Sequence, residues 1–184
     1  MDIRSGSDFQ HVAYTDEHKA RFYQTLKEAA KLFGCHYISY VYEEPRNGLR
    51  IGFSTNPDWE AHYMSYGLIH DCHLWKTVLK YFINTARPVY ILPWDSVSPE
   101  SEAERHVVHM RDSFNIGRNG ISFCARNENK REFLAFAPGS QEEKGFAANL
   151  LNNMDSVRCY AKIFRDATQE ALQTIQLGAA DGRA

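Results

Sequence analysis

The residues with the most chemistry to offer stand between Asn56 and Trp94: Trp59, Tyr63, Tyr66, Asp71 and Trp94. Their indole N–H and phenolic O–H groups donate hydrogen bonds, the carboxylate accepts them, and the rest of each ring is apolar. Such a set fits a mostly apolar ligand whose polar head carries an amide and a carbonyl-bearing ring. In NPDWEAHYMSYGLIHD, Pro57 can open a helix because its missing N–H would be unpaired there anyway. Trp59 and Tyr63 then stand at i and i+4 on one face, with Tyr66 close to the same line. The same spacing also describes an amphipathic helix whose aromatics only fill the core. Gly67 weakens the helix just before the polar cluster His70-Asp71-Cys72-His73.

Other chemistries fit less well. His70, Asp71, Cys72 and His73 are ligand types, and His106 and His109 sit one helical turn apart, but there is no CxxC or HExxH spacing, so no metal is expected. Cys72 beside His73 lacks an orienting third group, and adjacent residues rarely face each other. With no GxSxG, P-loop or GxGxxG motif, the chain reads as neither an enzyme nor a holder of a cofactor. Cys35, Cys72, Cys124 and Cys159 are widely spaced, which suits reduced thiols rather than a disulfide framework. A net charge of −2, from 21 basic and 23 acidic residues, gives no electrostatic grip on a phosphate backbone. The N-terminus lacks a signal-peptide pattern and no apolar run could span a bilayer, so a cytoplasmic location is expected. At 184 residues, 43% of them hydrophobic, the chain suits one domain with a sizeable core.

The elements that must position these residues follow from periodicity. A helix is predicted from Thr15 or Asp16 to Phe33, stopped by Gly34. Two strands, around Tyr37 to Tyr42 and over LRIGFST, form a hairpin through Pro45-Arg46-Asn47-Gly48. Ser39 and Val41 share one face of the first strand. A helix carrying Leu74, Val78 and Phe82 ends at Pro88, and PVYILPW is a short strand. Ser98 and Pro99 can open a helix with Ala103, Val107, Met110 and Phe114 on one stripe. GISFCARN and REFLAFA make a second hairpin. Ser140 and Glu143 form a capping box for a last helix, in which Leu150, Met154, Val157, Ala161, Phe164, Thr168, Ala171 and Ile175 repeat as a heptad seam. One helix from Gln141 to Leu177 would be roughly 55 Å long, so it either kinks or extends beyond the core. The seam packs in the core or joins two copies. The expected class is α+β, a central antiparallel sheet of about five strands with helices on both faces. Residues 1–177 form the domain, and 178–184 a tail or the start of a linker.

The order LFGCHYISYVYEE, STNPDWEAHY, PVYILPW, the helix to Phe114, IGRNGISFCAR and REFLAFA resembles the autoinducer-binding domain of LuxR-type quorum-sensing regulators, from about Phe22 to Ala171. The family's Trp, Tyr four residues on, Asp, second Trp and Gly in an NG turn fall on Trp59, Tyr63, Asp71, Trp94 and Gly120. The resemblance implies an α-β-α sandwich that encloses an N-acyl-homoserine lactone and serves transcription regulation. By analogy Trp59 donates to the lactone carbonyl, Tyr63 donates to the acyl carbonyl, Asp71 accepts the amide N–H, and Trp94 packs on the lactone ring. Ser39, Val41 and Tyr66 are added as ligand contacts, and Gly120 serves the backbone turn. A homodimer through Leu150, Met154, Val157, Ala161 and Phe164 is the expected assembly.

Three departures stand out. Asp71 is followed by Cys72 rather than Pro and lies one residue closer to Tyr63 than usual, so Cys72 or His73 is an alternative acceptor. Asn56 replaces a Tyr before the helix-opening Pro, and the segment from Asp71 to Trp94 is longer than usual. The sequence shows no helix-turn-helix domain. It reads as a ligand-binding fragment of a regulator or as a truncated regulator-like protein that sequesters the signal or pairs with a full-length regulator and inhibits it.

Overall fold

Alternation along the strands decides the architecture. In β2 (Tyr37–Glu44), Ile38, Tyr40 and Tyr42 point to one face and are completely buried, while Tyr37, Ser39 and Val41 point to the other. Each face needs its own cover, and the chain supplies a helical layer for each. The computed structural model describes residues 10–11, 15–139 and 145–181, with side chains over 15–139 and 145–174. Its elements run β1 (Gln10–His11), α1 (Asp16–Phe33), β2, β3 (Leu49–Ser54), α2 (Pro57–Ser65), a 3-10 turn (Leu68–Asp71), α3 (His73–Asn84), β4 (Val89–Pro93), a second 3-10 turn (Trp94–Ser96), α4 (Glu102–Ser113), β5 (Ile121–Arg126), β6 (Arg131–Ala137), α5 (Phe146–Asn152) and α6 (Met154–Asp181). The sheet order is β1-β3-β2-β6-β5-β4, with β2 to β6 antiparallel and the two-residue β1 added parallel at the edge. This is the expected α+β sandwich.

One face carries Ile38, Tyr40, Ile51, Leu134 and Phe136, covered by Phe22 and Leu26 of α1, Phe146 and Leu150 of α5, and Val157 and Phe164 of α6. Phe22 stacks on Phe53 with ring centroids 3.7 Å apart, and Tyr40 stacks on Phe164 at 5.4 Å. The other face, with Tyr37, Cys124, Phe133 and Ala137, is covered by Trp59 of α2, Leu74, Val78 and Phe82 of α3, and Val107 of α4. The site lies under this second layer.

Local chemistry explains the boundaries. The Thr15 side chain accepts the His18 N–H at the start of α1, and Gly34 closes that helix in the left-handed region at φ 62°. Asn56 caps α2 by accepting the Trp59 N–H at 3.0 Å, with Pro57 in the first turn. Helix α4 starts three residues later than Ser98-Pro99 suggests. The Ser101 hydroxyl accepts the Glu104 N–H at 3.1 Å while the Glu104 carboxylate accepts the Glu100 and Ser101 N–H groups. A reciprocal capping box of this kind satisfies more end groups than a lone serine. The buried stripe runs through Glu104, Val107, Val108 and Arg111 and leaves Ala103 exposed.

The C-terminal helix is broken, the first of the two outcomes its length allowed. Helix α5 ends at Asn153, whose N–H bonds Leu150 O, and α6 restarts at Met154. The expected capping box at Ser140 and Glu143 lies outside the described residues, as does the Ile175 side chain. The helix continues to Asp181, beyond the boundary at 177. Of the expected dimer seam, Leu150, Val157 and Phe164, with Thr168 and Ala171, are buried against the sheet and α1 within one chain, while Met154 and Ala161 are partly buried. The seam thus packs in the core, one of the two uses its spacing allowed.

Candidate functional site

Beneath α2, α3 and α4 lies a cavity of about 150 Å³ whose floor is the outward-alternating residues of the sheet: Tyr37, Ser39, Val41, Gly52, Ser54, Ser122, Phe133 and Ala135. Trp59, Tyr63, Ile69, Leu74, Val78 and Trp94 supply much of the rest of its wall. The strand registers place Ser39 between Ser54 and Ala135, and Val41 between Gly52 and Phe133, so these small residues line a single strip of floor.

Trp59 and Tyr63 share the inward face of α2, with ring centroids 5.2 Å apart. Burial pushes the Tyr37 hydroxyl up to about 12, against side-chain hydrogen bonds from Ser39 and Trp59 that pull it back. Burial also holds the Tyr63 hydroxyl protonated well above its usual range, with Cys72 beside it. Trp94 is buried, and its indole N–H donates to Ser122 Oγ at 2.8 Å. Gly120 explains how that indole fits. A Cβ there would stand 2.6 Å from Trp94 Cδ2 and 2.7 Å from Phe136 O. Gly120 is therefore needed for close approach of the ring as well as for the turn, and its carbonyl accepts the Trp94 N–H at 2.8 Å.

Five of the seven expected site residues come together here: Ser39, Val41, Trp59, Tyr63 and Trp94. Asp71 and Tyr66 do not. Gly67 turns the chain at φ 66°, and Leu68 and Ile69 take the inward positions. Asp71 ends that 3-10 turn with its side chain 50% exposed, 3.7 Å from Lys76 Nζ. Tyr66 caps the end of α2, is 72% exposed and packs its ring 4.4 Å from that of His62. Of the two alternatives to Asp71, Cys72 lines the cavity, whereas His73 is buried beside it.

Charged residues in the wall were not evident from the sequence pattern. Glu60 is the one carboxylate among the described lining residues. It lies over Gly52, where a Cβ would come 3.1 Å from Oε1. Burial raises its carboxyl above the ordinary range, partly offset by the nearby Ser54 hydroxyl. Arg50 is buried in an ion pair with Glu43 and lies 5.3 Å from the Trp75 ring centroid. Arg111, 6% exposed, lies 4.9 Å from the Trp94 ring centroid. A signal for Arg111 was present in the sequence, because it stands one helical turn beyond Val107. Glu60 offered none, since its burial depends on a glycine in another strand.

Comparison with known proteins gives a consistent result. The family model described as autoinducer binding domain matches residues 18–167. Among solved structures, the fold is similar to that of the N-acylhomoserine lactone dependent LuxR family transcription factor CepR2 from Burkholderia cenocepacia. The TM-score is 0.50 at 16% identity, over 84% of each chain. Escherichia coli SdiA is similar with a TM-score of 0.55 at 12% identity, over 92% of this chain and 74% of that one. At such identities the likeness is one of fold. None of the curated proteins compared matches the sequence.

Proposed function

The chain belongs to the autoinducer-binding domain family, and from that premise we propose that it senses an N-acyl-homoserine lactone held in the cavity under Trp59, Tyr63 and Trp94. The observation that carries this reading is the convergence of those three aromatics, from two separate segments, on one cavity between the sheet and the second helical layer. The acyl chain suits the apolar wall of Ile69, Leu74, Val78 and Phe133, and Tyr63 donates to the acyl carbonyl. Trp94 offers its ring face rather than its N–H, which Ser122 already accepts. The Trp59 indole N–H, beside the Tyr37 hydroxyl, donates to the lactone carbonyl. Glu60, inside the cavity, accepts the ligand amide N–H in place of Asp71, which faces solvent and Lys76. The sensor serves transcription regulation as part of a cytoplasmic regulator. No helix among the described residues is long and apolar enough to cross a membrane.

A ligand that binds only the folded state stabilises it by about 2.7 kcal/mol at a hundred times Kd. For a domain of this size that raises Tm on the order of 5–10 °C. Thermal melts with short-, medium- and long-chain lactones check this, and a series in which no chain length moves Tm sinks the reading.

A further inference from the structure

The cavity holds a charge that the apolar-ligand picture does not use. Arg111 is 6% exposed, its guanidinium lies against Trp94, and it lines the cavity. Among the described residues no carboxylate forms an ion pair with it, and no side-chain hydrogen bond satisfies its N–H donors. Its polar neighbours are the Tyr37 and Tyr63 hydroxyls and His73, whose electrostatics it perturbs. Arg50, in the same wall, shows the ordinary arrangement: it is buried with Glu43 as its partner. An arginine cannot escape burial by losing its proton. Contact with one indole face recovers only a small part of what desolvating a cation costs. The missing partner is an acceptor, and the geometry leaves it to come from the cavity.

The neighbouring groups sharpen the chemistry. Tyr37, Tyr63 and Arg111 all present hydrogen-bond donors at this end of the cavity, while the carboxylate Glu60 stands over Gly52. Tyr37 feels both charges, Glu60 on one side of the balance and Arg111 on the other. A neutral lactone brings one exocyclic carbonyl to such a cluster. A carboxylate brings two oxygens with about four acceptor sites, and it matches the planar guanidinium fork. Burial holds His73 neutral down to about 4, with Arg111 as the next cause, so no second cation stands there to serve the same anion.

We propose that Arg111 makes the Trp94 end of the cavity a carboxylate site, so that beside the lactone the cavity takes an N-acyl amino acid with a free carboxylate, such as ring-opened N-acyl-homoserine, and at equal acyl length holds it more tightly than the closed ring. The carboxylate pairs with Arg111 above the Trp94 ring, the amide N–H is accepted by Glu60, and the acyl chain occupies the apolar wall. This inference rests on the reading of the cavity as an acyl-homoserine-type sensor site.

The test uses isothermal titration of the whole chain with matched pairs of N-acyl-homoserine lactone and ring-opened N-acyl-homoserine at several acyl lengths, with Arg111→Met and Arg111→Lys beside the wild type. The wild type is expected to bind the carboxylate at least about tenfold more tightly than the lactone of equal length. Arg111→Met removes that preference. Arg111→Lys keeps a charge without the fork and gives an intermediate preference even if the Met variant fails to fold. A wild type that binds the lactone as tightly as the carboxylate, or better, overturns the proposal while leaving the sensor reading standing. A preference for the carboxylate that survives in both variants also overturns it. If neither ligand binds at any chain length, the sensor reading itself falls.

Discussion

Gly120→Ala probes the coupling between the NG turn and the second tryptophan. The added Cβ would stand 2.6 Å from Trp94 Cδ2 and 2.7 Å from Phe136 O, well inside van der Waals contact. The backbone oxygen sits in β6 at a position paired with both Ile121 and Ile38, so the indole yields more easily than the strand, which must still give a little. Overpacking of this kind costs about 1–3 kcal/mol. If the ring moves, its N–H leaves Ser122 Oγ, 2.8 Å away, and an unpaired buried donor adds about 1–3 kcal/mol. The expected total of about 2–6 kcal/mol lowers Tm on the order of 5–20 °C for a chain of this length. Thermal melts followed by circular dichroism give the loss. The double variant Gly120→Ala with Trp94→Leu isolates the ring's share, because removing the indole relieves that part of the clash and leaves the contact with Phe136 O, so the two effects must be less than additive. A Gly120→Ala chain that melts within about 1 °C of wild type, or strict additivity in the double variant, refutes the close-approach argument.

Burial pushes the His73 imidazole down to about 4 from an ordinary 6.5, with the Arg111 charge as the next cause. Between these values the unfolded chain binds a proton that the folded chain refuses, so stability is lost as pH falls from about 6.5 to 4. The loss is about 3 kcal/mol, and His73→Met should remove it; equal pH slopes for the two proteins in urea titrations would refute the assignment. Asp71→Ala should change stability by less than about 1 kcal/mol, because its pair with Lys76 is solvent-exposed. It should also leave any ligand-induced rise in Tm intact, whereas Glu60→Gln should diminish that rise; the opposite ranking would restore Asp71 as the amide acceptor. Phe164→Ala should cost about 3–5 kcal/mol at any protein concentration, because the ring is buried within one chain. Concentration-dependent destabilisation, read from melts across a dilution series, would instead return the heptad seam to an interface.

Much of the fold was legible because its signals are local. Alternation over Tyr37–Tyr42, the turn at Pro45–Gly48, the cap at Thr15, the helix opening at Pro57 and the stripe of α3 depend on neighbours a few residues away. The same holds for Trp59 and Tyr63, which a single helix brings together. What failed depended on phase or on distant partners. In α4 the sheet and its neighbours cover the side carrying Glu104, Val107, Val108 and Arg111 and leave Ala103 exposed, a choice of face that spacing alone does not make. The 3-10 turn after Gly67 carried Asp71 outward, and nothing in its residue type announces that outcome. Heptad spacing in α6 was real, but periodicity marks an apolar face without saying what covers it, and here the sheet does.

The two faces of the sheet bear different kinds of cost. Under α1, α5 and α6 the contacts are mostly ring on ring and aliphatic on ring, as in Phe22–Phe53 and Tyr40–Phe164. Under α2, α3 and α4 the chain buries Arg111 without an anion and His73 with an unpartnered Nδ1, and half-buries Glu60 against its preference for charge. Native proteins keep few such groups, because each forfeits solvation that packing does not return. The other layer also holds unpartnered groups, the Tyr40 hydroxyl and Thr168 Oγ1, but packed side chains enclose them, whereas Arg111 and Glu60 line a cavity where occupancy can restore what burial took. Strand alternation makes the separation possible, since Ile38, Tyr40 and Tyr42 can stabilise the fold while Tyr37, Ser39 and Val41, in the same strand, remain at the cavity.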